Sequence, residues 1–165
     1  MIRKIVLVFL LCLSGCGSLK DYDVTLNDRV VYTPRPLAVD AAITDPALAA
    51  CIAQTLKDQN LSSPTQLQAL ICTSAGITSL QGIEIYSAIA RLKLSGNKLT
   101  DVTALQPLAA LDDLWLDDNA LVDVSVLEAL TGLSRLNLAG NPALDCISAR
   151  TLPIRALTLP EHCES

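Results

Sequence analysis

"LDDLWLDDN" (residues 111–119) sets four aspartates around the single tryptophan of the chain. The letters alone fit an acidic metal cluster, a catalytic carboxylate pair, or one unit of a repeated scaffold. The segments 22 residues to either side decide among them. "IARLKLSGNKL" begins at residue 89, "LDDLWLDDNAL" at 111 and "LSRLNLAGNPA" at 133. In register they align Leu92, Leu114 and Leu136, then Leu94, Leu116 and Leu138, then Asn97, Asn119 and Asn141. Weaker copies flank them, "LQALICTSAGI" from residue 67 and "IRALTLPEH" from residue 154, the latter one residue early.

Within each unit the leucines alternate with other residues, the period of a strand with one buried face. Between units the apolar residues fall at every third position, as in Leu80, Ile83, Tyr86, Ile89 and in Val102, Leu105, Leu108, Leu111. Val124, Leu127, Leu130 and Leu133 repeat this spacing. A spacing of three matches 3-10 turns rather than α-helix. The pattern L-x-x-L-x-L-x-x-N at this period is the leucine-rich-repeat signature. Residues 45–159 resemble the short 22-residue repeats of bacterial internalin-like proteins. The expected fold is therefore an α/β leucine-rich-repeat solenoid: a parallel concave sheet of about five strands, a convex side of 3-10 turns, and an N-terminal helical cap. Ala75 and His162 stand where the inner repeats have Asn, as terminal capping repeats do.

This register places the opening stretch. Leucines point into the core, and alternation sends Asp113, Trp115 and Asp117 to the concave face. Neighbouring strands align Arg91, Asp113 and Arg135 in one lateral row, and Lys93, Trp115 and Asn137 in the next. Arginines about 4.8 Å away on both sides would neutralise Asp113, a salt-bridge ladder rather than a metal site. Asp117, with only Ser95 and Ala139 beside it, is left as the freest acid. Asn97, Asn119 and Asn141 turn inward as a structural ladder. The concave candidates for binding a protein or peptide are Trp115, Asp117, Arg91, Lys93, Asp113, Arg135 and Asn137.

The ends carry different signals. Residues 45–66 read as the helical cap. Asp45 and Pro46 start a helix, with Leu48, Cys51, Ile52 and Leu56 on one face, and "SSP" at 62–64 offers a second start. The repeats run over 67–142 and the C-terminal cap over 143–165. Before them, Arg3 and Lys4 precede the apolar run "IVLVFLLCL" (5–13), which ends in "LSGC" (13–16). Nine apolar residues are too few to span a bilayer, which takes about 20, and suit a signal peptide. Charge, apolar core and "LSGC" together resemble a bacterial lipoprotein signal with its lipobox. The resemblance implies a signal peptide at 1–15, cleavage before Cys16, and lipid on the Cys16 sulfur and amine. Gly17, rather than Asp, implies export to the outer membrane of a double-membraned bacterium. Residues 16–44, with "TPRPL" and no periodicity, read as the lipidated cysteine and a tether with one short strand at "RVVY".

Cysteine usage agrees with an exported chain. Once Cys12 and Cys16 are set aside, Cys51, Cys72, Cys146 and Cys163 remain, an even number that argues for two disulfides. Of three possible connectivities, pairing within each cap is expected, since Cys72 faces the Cys51 helix and Cys146 and Cys163 flank the last strand. A zinc site of Cys146, His162 and Cys163 is the alternative, short of a fourth ligand.

Seventeen acidic against twelve basic residues, for a net charge of −5, argue against a nucleic-acid footprint, which needs a clustered basic face. The single histidine and the lack of a nucleophile elbow, zincin helix or phosphate loop leave no enzyme reading and no cofactor. Three functions stay open: a lipid-anchored, monomeric protein-binding module of the cell envelope, a structural or assembly lipoprotein, and a host-facing adhesion or virulence factor.

Overall fold

The computed structural model describes residues 24–26, 29–32 and 43–164. The chain forms two compact units, Met1–Pro36 and Leu37–Ser165. In the first, β1 (Val24–Leu26) pairs antiparallel with β2 (Arg29–Tyr32). The segment read as a tether with one strand thus contains two, because "RVVY" meets a partner three residues upstream. The expected signal peptide, with Cys16 and Gly17, lies outside the described residues.

The second unit is a solenoid. Its helix α1 (Pro46–Asp58) is followed by β3 (Ala69–Ile71), β4 (Arg91–Lys93), β5 (Asp113–Trp115), β6 (Arg135–Asn137), a short α2 (Cys146–Arg150) and β7 (Ala156–Thr158). The five strands β3 to β7 lie in chain order in one parallel sheet. Leu70, Leu92, Leu114, Leu136 and Leu157 pair across it, so the last repeat keeps register despite its missing residue. This is the α/β leucine-rich-repeat solenoid expected from the period.

The convex side follows from its spacing of three. Leu105 N–H donates to the Val102 carbonyl, Leu108 to Leu105, and Leu111 to Leu108. The same residues therefore close the i→i+3 bonds and supply the buried side chains, and Val102, Leu105, Leu108 and Leu111 are at most 1% exposed. Each of the three connections from β3 to β6 makes one such run, with 3-10 helices at Ile83–Ile85, Thr103–Leu105 and Ser125–Ala129, and α2 takes that place between β6 and β7. Pitch and side-chain period agree, so every turn drops its apolar residues into one continuous core.

At the N-terminal end α1 buries Leu48, Ile52 and Leu56. The start at 62–64 becomes a 3-10 turn, Pro64–Gln66, with a Ser63/Gln66 capping box. Cys51 is bonded to Cys72, with Cα atoms 5.9 Å apart, and Cys146 to Cys163 at 5.3 Å. The first bridge ties the helical cap to the first repeat and the second closes the C-terminal cap on itself, one at each open end of the solenoid. We expect non-reducing peptide mapping of the protein to recover the 51–72 and 146–163 cross-linked peptides. Free thiols, or a link between the two caps, would overturn this pairing.

Candidate functional site

β5 carries the opening stretch at the centre of the sheet, with two strands on either side. Arg91 pairs with Asp113 and Asp113 with Arg135, while Lys93, Trp115 and Asn137 form the next row. Ala69 and Ala156 extend the first row, and Ile71 and Thr158 the second. The rows follow from the 22-residue period, because each parallel strand repeats the inward leucine and so repeats its outward neighbours.

Side chains within the rows interact unequally. Arg135 Nη2 donates to Asp113 Oδ2 at 3.0 Å and lies 3.9 Å from Asp112. Arg91 acts on Asp113 only through space, so the expected ladder with arginines bonded on both sides is in fact one-sided. On that side the Trp115 indole Nε1–H takes up the other oxygen, donating to Asp113 Oδ1 at 3.0 Å. The Arg135 hydrogen bond, opposed by burial and reinforced by Trp115, holds the Asp113 carboxyl below the usual carboxylate range. Asp113 is therefore ionised at neutral pH and only 8% exposed, a buried link between arginine and tryptophan.

Asp117 is not free either, since Ser95 Oγ donates to its Oδ1 at 2.7 Å. The sequence row had set Ser95 beside Asp117, but only the rotamers reveal the bond. Asp112 accepts from Ser134 Oγ just before the start of β5. Asp118 occupies a left-handed turn with φ +55, where the flanking repeats use Gly96 and Gly140. All four aspartates of the opening stretch thus have scaffold duties, and where two of them, Asp112 and Asp113, approach a common point, that point is the Arg135 guanidinium. Asn137 is half-spent, its Oδ1 accepting from the Ala139 N–H at 3.1 Å.

Trp115 is the side chain that the sequence could name but not orient. Lys93 Nζ stands 4.6 Å from the centroid of its ring, a cation–π distance. Lys93 on one strand and Asp113 on its own strand fix the ring, leaving Trp115 38% exposed. Away from Lys93, a slot of about 210 Å³ opens between Trp115 and the β6–β7 surface, lined by Asp113, Arg135, Asn137, Ala156 and Thr158. A larger hollow of about 440 Å³ lies between the first two convex turns, with Thr78, Glu84, Asp101, Thr103 and Pro107 on its walls. No aromatic ring lines that hollow, so the anchor-like geometry belongs to the concave side.

At the C-terminal end the sulfurs of Cys146 and Cys163 and a His162 ring nitrogen lie within 4.8 Å of one another. The two sulfurs are joined as a disulfide, which provides no thiolate for zinc, and His162 Nε2 contacts the Leu144 carbonyl at 3.1 Å. The asparagine ladder is inward, with Asn97, Asn119 and Asn141 at most 7% exposed. Among the described residues no helix is long and apolar enough to cross a membrane.

No protein-family model matches the chain, and no curated protein matches it. Solved structures do match. An internalin (inlF) from Listeria monocytogenes is 25% identical with a TM-score of 0.66, over 77% of this chain and 39% of that one. Internalin C2 (inlC2) from the same organism is 24% identical with a TM-score of 0.62, over 72% of this chain and 56% of its own. The chain thus spans less than two thirds of the length of either. Their shared architecture makes this an internalin-like leucine-rich-repeat fold.

Proposed function

We propose that this chain is a lipid-anchored protein-binding module of a bacterial cell envelope, and that its concave sheet, centred on Trp115, takes up the partner. The observation that carries the reading is the immobilised indole. Asp113 holds its N–H and Lys93 flanks its ring, so little side-chain freedom is left to lose on binding. Half-exposed tryptophan and arginine at the centre of a surface are the side chains that dominate binding energies. Five strands give a face roughly 20 Å wide, suited to a peptide segment or one side of a small domain.

Trp115→Ala removes the anchor and leaves the leucine core in place. We expect the variant to fold normally and to lose about 2 kcal/mol or more of affinity for a partner captured by in-cell crosslinking from concave positions. A folded variant that captures the same partner equally well would redirect attention to the convex turns.

The anchor rests on "LSGC" and the signal before it. Cys16→Ser is expected to abolish incorporation of labelled fatty acid and to leave precursor uncleaved, while Gly17 directs the wild type to the outer membrane. Processed, lipid-bearing mutant protein would defeat the anchoring reading. A host-facing role is the second reading, favoured by the likeness to the Listeria internalin structures. Protease accessibility on intact cells separates it from a role inside the envelope.

A further inference from the structure

We infer that the occupant of the concave face is an extended acidic peptide segment lying across the strands, with one apolar side chain in the slot beside Trp115 and a carboxylate three residues away on Arg91 and Lys93. The inference rests on the concave-face reading and adds the chemistry and spacing of what binds there.

Charge comes first. The face presents Arg91, Lys93 and Arg135 against Asp113 and Asp117, with Asp112 beside Arg135 at the start of β5. Arg135 is committed to Asp113, and Asp117 accepts from Ser95. No salt bridge among the described residues includes Arg91 or Lys93, which are adjacent on β4 with one leucine between them. Arg91 acts on Asp113 only through space and Lys93 lies over the Trp115 ring, so these two outward cations on one strand have no carboxylate at contact and form a local demand for an anion on a chain whose net charge is −5. That net charge opposes an acidic partner at long range, and ions screen it beyond about 10 Å. The β4 pair therefore sets register and specificity rather than speed of encounter.

Shape supplies the second half. Each strand of the sheet is three residues long, so a partner running along one strand would pass over two outward side chains. A partner running across the strands meets five columns. The slot is bounded by β5, β6 and β7, and Arg91 and Lys93 lie on β4, about two strand spacings from its centre. Two spacings of about 4.8 Å come to about 10 Å, and an extended chain rising about 3.3 Å per residue covers that in three residues. Ile71, 66% exposed in the next column, adds an apolar side chain on the far side of Lys93. The slot has room for one side chain, and its wall is the indole face away from Lys93.

The test uses the full-length protein and a random dodecapeptide phage library. Trp115 is the only tryptophan, so its emission reports directly on the slot. Selected peptides are expected to carry Asp or Glu three residues from a Leu, Ile, Phe or Tyr and to shift Trp115 emission as free peptides. The double variant Arg91→Glu, Lys93→Glu should bind them at least about tenfold more weakly, and replacing the peptide acid by lysine should restore binding to that variant. Peptides that shift the emission but lack the spaced acid, or bind the charge-reversed protein equally well, would overturn the inference and leave the concave reading standing. Peptides that leave the emission unchanged and bind Trp115→Ala as tightly would overturn both. An unenriched library would overturn the inference alone.

Discussion

Replacing Asn97 by leucine is expected to lower stability by about 3–5 kcal/mol, and the same change at Asn119 by about 1–3 kcal/mol. The difference comes from position in the ladder. Asn119 Nδ2 donates to the Leu94 and Leu116 carbonyls, and its Oδ1 accepts from the Leu99 N–H. Both carbonyls have a second donor, since Asn97 also reaches Leu94 and Asn141 also reaches Leu116. Only the Leu99 N–H loses its sole partner. Asn97 closes the N-terminal end, where the ladder position in the preceding repeat is Ala75. Its Nδ2 serves the Cys72 carbonyl, which no other asparagine reaches, and its Oδ1 accepts from both the Ala75 and Ile77 N–H groups. Three backbone groups at the junction with the cap are therefore stranded together. Urea midpoints of the two variants check the order, with cooperativity as a control. Equal losses, or an unchanged Asn97→Leu midpoint, would mean that the ladder does not end at Cys72 as drawn.

Asn97, Asn119 and Asn141 also show why so much of this fold was legible. A repeat constrains each residue several times over: one leucine register fixes the strand, its neighbours in the sheet and the inward asparagine together. Arg91, Asp113 and Arg135 could be set in one row before any coordinates. Which of the two arginines bonds Asp113 could not, because both stand one strand away and rotamers choose between them. The choice falls on Arg135 because it also approaches Asp112, while the Trp115 indole takes the remaining oxygen of Asp113. Ser95 was visible beside Asp117, yet a row position does not tell a neighbour from a donor. Period-22 reasoning also stops where the repeats stop. Across the cap boundary nothing in the spacing announces that Asp45, legible as a helix cap, reaches residues 33 and 34 positions further on.

That reach leads to the second large effect, an expected loss of about 3 kcal/mol at neutral pH for Asp45→Ala, concentrated at the cap junction. Asp45 Oδ1 caps α1, accepting from the Ala47 and Leu48 N–H groups at 2.9 and 3.0 Å. Its Oδ2 accepts from the Thr78 N–H and hydroxyl, both at 2.8 Å, and from the Ser79 N–H at 3.2 Å. One carboxylate, 6% exposed, thus joins the helical cap to the first repeat. Burial pushes its pKa up, but the bonds from Thr78, Leu48 and Ser79 outweigh it and bring the value from 3.8 down to about 2. The sign follows from that depression. Folding favours the ionised form, so the contribution is fully present above pH 3.8 and is lost as pH falls through about 2. Asp45→Asn separates the two jobs of the carboxylate. Asparagine caps a helix about as well as aspartate, but its amide would set a donor against the Thr78 and Ser79 donors. Most of the Asp45→Ala loss should therefore persist in Asp45→Asn, and the variant's urea midpoint should fall less steeply than that of the wild type between pH 4 and pH 2. If Asp45→Asn keeps the wild-type midpoint at pH 7, the charge adds nothing across the junction, and the helix cap alone accounts for Asp45.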